Sequence, residues 1–426
     1  MQKDKSLGIK GIVIPFSLIT VLFFMWGLAN NMTDTLLAAF KKIMSMSDFQ
    51  TSWIQIAFYG SYFCLALPAA IFIKKYTYKS GVLLGLGLFI VGSVLFYPAS
   101  KTMVYGHFLV ALFILAGGLS ILETSSNPFI IAMGPEESSV RRLNFSQSFN
   151  PIGSIVGIIL SKYFILSHLN PANAIQRAEM SPTQLHGLQA KELSAVMGPY
   201  VAVALLLIML WISIAVVKMP KASDEGPKLN LIPTFRRLIK NKNYISAVIA
   251  QFFYVGAQIG VWSFTIRYTM KELNINEESA STYYLASLIL FMISRFICTA
   301  LMKFFSPSKL LTALAALGIV CTTVVIFSGG YVGVYALIAI SGCMSLMFPT
   351  IYGLGLTGLG EDTKIGASGL IMAILGGAVL TAIQGKVSDI ANSINYAYSV
   401  PLVCFVFIVF YSAFIKHKAQ PVNNNI

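Results

Sequence analysis

Two carboxylates stand where the chain is otherwise apolar for whole helix lengths. Asp34 follows Trp26-Gly27-Leu28-Ala29-Asn30-Asn31-Met32-Thr33, and Glu123 sits in Leu122-Glu123-Thr124-Ser125-Ser126-Asn127-Pro128. An acid at the centre of a membrane helix costs about 2.5–3.5 kcal/mol on insertion scales. Such residues therefore mark a functional cavity by default. Burial disfavours the charged form of a carboxyl, so an acid held there takes up and releases protons close to neutral pH. That is the chemistry of proton-coupled transport. The plainer reading is a carboxylate near a span end that reaches water or pairs with a cation. It fits Asp34, which lies toward one end of its run, better than Glu123.

Amides accompany the acids. Gln147 and Ser148 lie three and four residues after Asn144, so a helix puts all three on one face, with Asn150 close by. Gln251 and Gln258 are seven apart and also share a face. Amides and carboxylates together supply the donors and acceptors that sugar hydroxyls need, and Trp26 offers a ring to the apolar face of a pyranose. The competing role is structural: polar side chains also bind membrane helices to one another, and Trp26 packs. Arg295 either pairs with an acid or reaches the surface beside Lys303, while Arg267 snorkels near a span end. Glycines such as Gly117-Gly118 and Gly376-Gly377 let helices approach closely, and without a βαβ setting they do not read as a nucleotide loop. The cysteines Cys64, Cys298, Cys321, Cys343 and Cys404 fall inside apolar segments and read as small buried hydrophobes. His107, His168, His186 and His417 are scattered, so neither a metal site, a cofactor nor a membrane enzyme is indicated.

The elements that must hold these groups follow from composition. Hydrophobic residues make up 56% of the 426, and charged residues only 11%, against about 25% in a soluble chain. Residues 11–33, 49–73, 80–100, 193–217, 243–266, 310–360, 365–385 and 390–415 carry no Asp, Glu, Lys or Arg. A crossing takes roughly 20 helical residues. The pattern predicts twelve spans: 12–38, 50–73, 80–98, 103–132, 142–166, 195–217, 244–271, 280–304, 310–328, 331–357, 365–388 and 394–415. The first apolar run lacks a small-residue cleavage site and is expected to be a spanning helix.

Twelve spans put both termini on one side. That side holds 20 Lys and Arg against 8 on the other, with Arg267 and Arg295 inside spans. The positive-inside rule makes the termini cytoplasmic. It also absorbs the net charge of +14 without a nucleic-acid partner. An external loop, 167–194, and a basic linker, 218–243, interrupt the spans. The linker divides the chain into 1–217, which carries both acids, and 244–426. A half-repeat agrees: Phe23-Phe24-Met25-Trp26-Gly27 is echoed by Phe252-Phe253-Tyr254-Val255-Gly256, and Asn127-Pro128-Phe129-Ile130 by Phe348-Pro349-Thr350-Ile351. Six plus six is the plan of the major facilitator superfamily. The expected fold is thus an all-α membrane protein of twelve transmembrane helices in two six-helix bundles.

The strings WGLANNMTD, LETSSNPF, RRLNFSQSFNPIG and QFFYVGAQIGVWSF, with Pro349-Thr350, resemble the bacterial L-fucose–proton symporters of that superfamily, through nearly all the spans. The resemblance implies a multi-pass protein of the bacterial inner membrane, working as a monomer, that imports L-fucose or a related hexose with protons. It implies Asp34 as main proton carrier and Glu123 in both protonation and sugar binding. Trp26, Asn31, Gln147 and Asn150 would line the cavity, and Gln258 adds an amide from the seventh span. Leu346-Met347-Phe348 departs from the more polar Gln-Tyr pair of the fucose carriers, which leaves the sugar open. Sodium coupling or drug export on the same scaffold are the alternatives.

Overall fold

The computed structural model describes residues 9–43, 48–165, 169–170, 176–177, 179–220 and 230–415, and within them all side chains except those of 9–11, 33–42, 48–52, 55, 195–197 and 414. Every regular element among the described residues is helical: α1 (Ile9–Ile43), α2 (Asp48–Lys75), α3 (Tyr78–Thr102), α4 (Tyr105–Ala132), α5 (Ser139–Gln147), α6 (Phe149–Phe164), α7 (Pro182–Val216), α8 (Leu231–Lys240), α9 (Lys242–Leu273), α10 (Glu277–Leu301), α11 (Pro307–Phe327), α12 (Gly330–Met344), α13 (Met347–Leu356), α14 (Thr363–Met372), α15 (Gly376–Ala391), α16 (Ile394–Ala397) and α17 (Ser399–Phe414). Eleven helical stretches among them are long and apolar enough to cross a membrane. The remaining expected span, 142–166, falls on α5 and α6, two helices in series.

Proline explains two breaks. Its ring lacks an N–H and collides with the carbonyl four residues earlier. Pro151 acts on the Gln147 carbonyl, and α5 ends at Gln147 before α6 resumes at Phe149. Pro349 acts on the Ser345 carbonyl, and the tenth span divides between Met344 and Met347. Side-chain caps set four of the helix starts. The Thr77, Asn241 and Asn276 side chains each accept a backbone N–H three residues on, while Ser181 and Gln184 form a reciprocal capping box at the start of α7.

The chain groups into two compact units: Met1–Pro135 with Ser146–Asn230 and Glu361–Met372, and Glu136–Phe145 with Leu231–Gly360 and Ala373–Ile426. In the first, α4 is central, with every residue from 115 to 130 buried. Helix α14 packs on α2 and α4. There Lys364 donates from Nζ to the Ile73 carbonyl (3.4 Å) and lies 5.0 Å over the Tyr78 ring, itself stacked on Phe129. Both α1 and α7 run 35 residues, about 52 Å, and so outreach a hydrocarbon core of about 30 Å. Gln189 ties the two, donating to the Ile43 carbonyl (2.8 Å). Beside them Arg177 forks onto Glu192 (2.9 and 2.7 Å), both almost wholly buried.

In the second unit, the Gly353 backbone lies against Val140, and Asn144 donates to Thr350 Oγ1 (3.2 Å). Glu272 accepts from the Gly330 N–H (2.7 Å) and from Asn395 (2.9 Å), closing the start of α12. Each unit has a close helix crossing at a glycine. A Cβ on Gly153 would strike the Phe24 carbonyl, and one on Gly376 the Phe252 carbonyl. Each aromatic pair of the half-repeat thus has a glycine of a neighbouring helix against its backbone, at the second phenylalanine in the first unit and at the first in the second unit.

Candidate functional site

The polar residues of the first unit form a seam along α4. Glu123, 5% exposed, accepts a hydrogen bond from the Tyr62 hydroxyl of α2 (3.1 Å). Ser120, one turn earlier, donates to the Tyr62 carbonyl (3.0 Å), so α2 is held at both ends of one residue. Asn127, four residues after Glu123 and on the same face, accepts from Gln147 Nε2 (2.8 Å). Ser146 then meets Thr20 of α1 (3.1 Å). No cation lies on Glu123 among the described residues. Two buried groups in the seam, the Ser126 hydroxyl and Asn127 Nδ2, have no hydrogen-bond partner among the described residues. A buried donor left unmade costs about 1–3 kcal/mol, so this surface has bonding capacity to offer a polar ligand or water.

Along α1, Trp26 is half-buried and stacks on Phe23 (centroids 5.7 Å apart, 24° between planes). Asn31 is half-buried and donates to the Gly27 carbonyl (3.1 Å). Asn150 of α6 donates to the Phe23 carbonyl (3.2 Å), one turn before Gly27. Asn150 thus joins α6 to α1 at the residue on which Trp26 stacks. The Asp34 side chain lies outside the described residues; its backbone continues α1 one turn beyond Asn31.

Gln258 belongs to the second unit, half-buried and without a hydrogen bond among the described residues. Its sequence companion Gln251 is fully buried, and neither atom of its amide has a partner among the described residues; the same holds for Gln384. Arg295 does not reach the surface. It is 4% exposed, donates from Nε to the Ser345 carbonyl (2.5 Å) and lies 4.5 Å over the Phe291 ring. The neighbouring Met344 carbonyl accepts from the Tyr254 hydroxyl (3.1 Å). Both carbonyls are those released where the tenth span breaks ahead of Pro349. Phe348 is half-buried and stacks on Tyr352 (6.2 Å, 14°).

Asn144 and Gln147 share a face of α5, which ends at Gln147, and Ser148 lies at the break that follows. Asn144 serves Thr350 in the second unit, and Gln147 serves Asn127 in the first. Sequence reasoning missed Tyr62, whose role depends on a contact 61 positions away. It also passed over Asn127, for which the four-residue spacing from Glu123 was the available signal.

A family model described as Major Facilitator Superfamily matches residues 19–380. The L-fucose-proton symporter of Haemophilus influenzae is 39% identical, over 94% of this chain and 96% of its own length. The glucose/galactose transporter of Brucella abortus is 32% identical over 92% of each. A crystal structure of the E. coli fucose:proton symporter, FucP, superposes with a TM-score of 0.89 at 38% identity, covering 95% of this chain and 99% of that one.

Proposed function

This chain belongs to the major facilitator superfamily, and within it to the family of the bacterial L-fucose–proton symporters, and we propose that it imports L-fucose or a related hexose with protons. It acts by alternating access, as a multi-pass protein of a bacterial inner membrane and as a monomer. It is a carrier and not an enzyme. The observation that carries the reading is Glu123, buried at the centre of α4 under a single phenolic hydroxyl and one turn from the Asn127–Gln147 amide pair.

An unpaired carboxylate in such a place costs several kcal/mol. A proton that arrives there cancels the cost, and one that leaves restores it, so occupancy of the site and protonation are coupled. We assign Asp34 as the main proton carrier and Glu123 to both proton and sugar. Trp26, Asn31, Gln147 and Asn150 line the sugar side in the first unit, with Gln258 from the second. The functional halves are residues 1–217 and 244–426, joined by a cytoplasmic linker at 218–243, with both termini cytoplasmic.

A second reading concerns the sugar. The likeness to a glucose/galactose transporter, and the apolar Leu346-Met347-Phe348, favour a hexose other than L-fucose as the preferred cargo. Uptake into vesicles containing the protein separates these. L-Fucose is expected to accumulate with alkalinisation of the medium, and a competition panel of glucose, galactose and fucose ranks the sugars. Asp34→Asn is expected to abolish accumulation driven by a proton gradient while leaving exchange. Uptake that ignores pH, or that requires sodium, sinks proton coupling; the absence of transport of any hexose sinks the sugar reading altogether.

A further inference from the structure

Helix α8 (Leu231–Lys240), the last part of the linker, is built unlike any span. Its sequence, Leu-Ile-Pro-Thr-Phe-Arg-Arg-Leu-Ile-Lys, holds three cations and no acid. Thr234 and Leu238, four apart on one face, are buried. Round the helix from them come Phe235, Ile239 and Ile232, with exposures of 36%, 67% and 84%. Next on the same sense of rotation are Arg236 and Lys240, both exposed, and Arg237 beyond them. The order is therefore protein side, apolar flank, cationic flank. Large exposed apolar side chains beside cations are not a solvated surface.

The attachment of the helix fixes where that surface lies. Asn241 alone separates α8 from the membrane-crossing α9, which starts at Lys242. Asn241 has extended backbone (φ −79, ψ 100), and its side chain accepts the Tyr244 N–H (3.1 Å). An extended residue between two helices forbids one continuous rod, so α8 turns away from the axis of the span at the level where the span ends. A short amphipathic helix so placed has its apolar flank at the boundary of headgroups and acyl chains.

We propose that α8 binds anionic phospholipid of the surrounding bilayer: Ile232, Phe235 and Ile239 enter the acyl boundary, and Arg236 and Lys240 hold the phosphate groups. Each cation near an anionic surface contributes about fivefold in affinity. A free anion has no use for three exposed apolar side chains, and this distinguishes a lipid from inorganic phosphate.

The test uses the purified full-length protein in detergent, titrated with phosphatidylglycerol, with phosphatidylcholine of the same chains, and with inorganic phosphate. Bound lipid is counted by native mass spectrometry and the unfolding midpoint followed alongside. Phosphatidylglycerol is expected to bind and raise the midpoint well beyond the other two. Arg236→Gln with Lys240→Gln should weaken that binding about 25-fold, and Lys240→Gln alone, the milder variant, about fivefold. Ile232→Ser with Ile239→Ser should weaken phosphatidylglycerol binding with the charges intact. Equal binding of the two lipids, an equal effect of phosphate, or unchanged binding in Lys240→Gln overturns the proposal. The readout is lipid binding, so its failure leaves the transport reading untouched.

Discussion

The two units meet their buried ionisable groups differently. In the first, Glu123 is met by a side chain, the Tyr62 hydroxyl, one turn from the Gln147–Asn127 pair. In the second, the buried arginine goes to backbone. Arg295 and Tyr254 hold the Ser345 and Met344 carbonyls where the tenth span breaks ahead of Pro349. A side-chain seam with spare capacity at Ser126 and Asn127 can exchange partners with a ligand. A guanidinium that satisfies a carbonyl orphaned by proline is occupied by architecture. A buried cation is thus not a transport group by its burial alone; its partner decides.

The comparison can be broken at its strongest point. Glu123→Gln keeps the shape and the bond from Tyr62, and should lower gradient-driven accumulation by roughly a hundredfold or more while the unfolding midpoint barely moves. Arg295→Met should do the reverse. Leaving the Ser345 carbonyl unbonded costs about 1–3 kcal/mol, visible as a lowered midpoint, with proton coupling retained in whatever protein folds. If Arg295→Met is as stable as the parent but uncouples sugar from protons, the contrast between the units is wrong.

A double-mutant cycle sharpens the account of the break. Pro349→Ala returns an N–H that can reach the Ser345 carbonyl, which makes Arg295 less necessary. The pair Pro349→Ala and Arg295→Met should then cost less than the sum of the singles, with a coupling of about 1 kcal/mol. Strict additivity in thermal or denaturant unfolding counts against proline as the cause. The smallest effect is expected at Lys364. Removing its cation from the C-terminal end of α2 and from the Tyr78 face in Lys364→Met should cost about 0.5–1 kcal/mol, read as faster proteolysis or hydrogen exchange at α14.

Much of this was legible in the residues. Uncharged runs long enough to cross a bilayer marked the spans, because hydrocarbon penalises every charge in the same way wherever it falls in the chain. Glu123 stood out for that reason, and the half-repeat pointed to two aromatic pairs that each lie against a glycine of another helix, one residue out of register with each other. The breaks at Ser148 and Ser345 lie ahead of Pro151 and Pro349, but Pro68, Pro98, Pro128 and Pro199 lie inside unbroken helices, so proline alone did not single out the two. The common face of Asn144 and Gln147 stands, both being in α5.

What lay beyond the sequence were pairings over long separations. Tyr62 meets Glu123 across 61 positions, Arg295 meets Ser345 across 50, and Lys364 meets Ile73 across 291. Segments Glu136–Phe145 and Glu361–Met372 each group with the unit built mainly from the other half of the chain, which a boundary drawn at the linker does not express. Hydropathy and proline act on a residue through its immediate neighbours, so the sequence by itself determined the membrane class, the spans and the suspect acid. Which donor serves which acceptor depends on how helices cross, and only the tertiary structure decided it, separating the carboxyl with one phenolic partner from the arginine bound to a carbonyl.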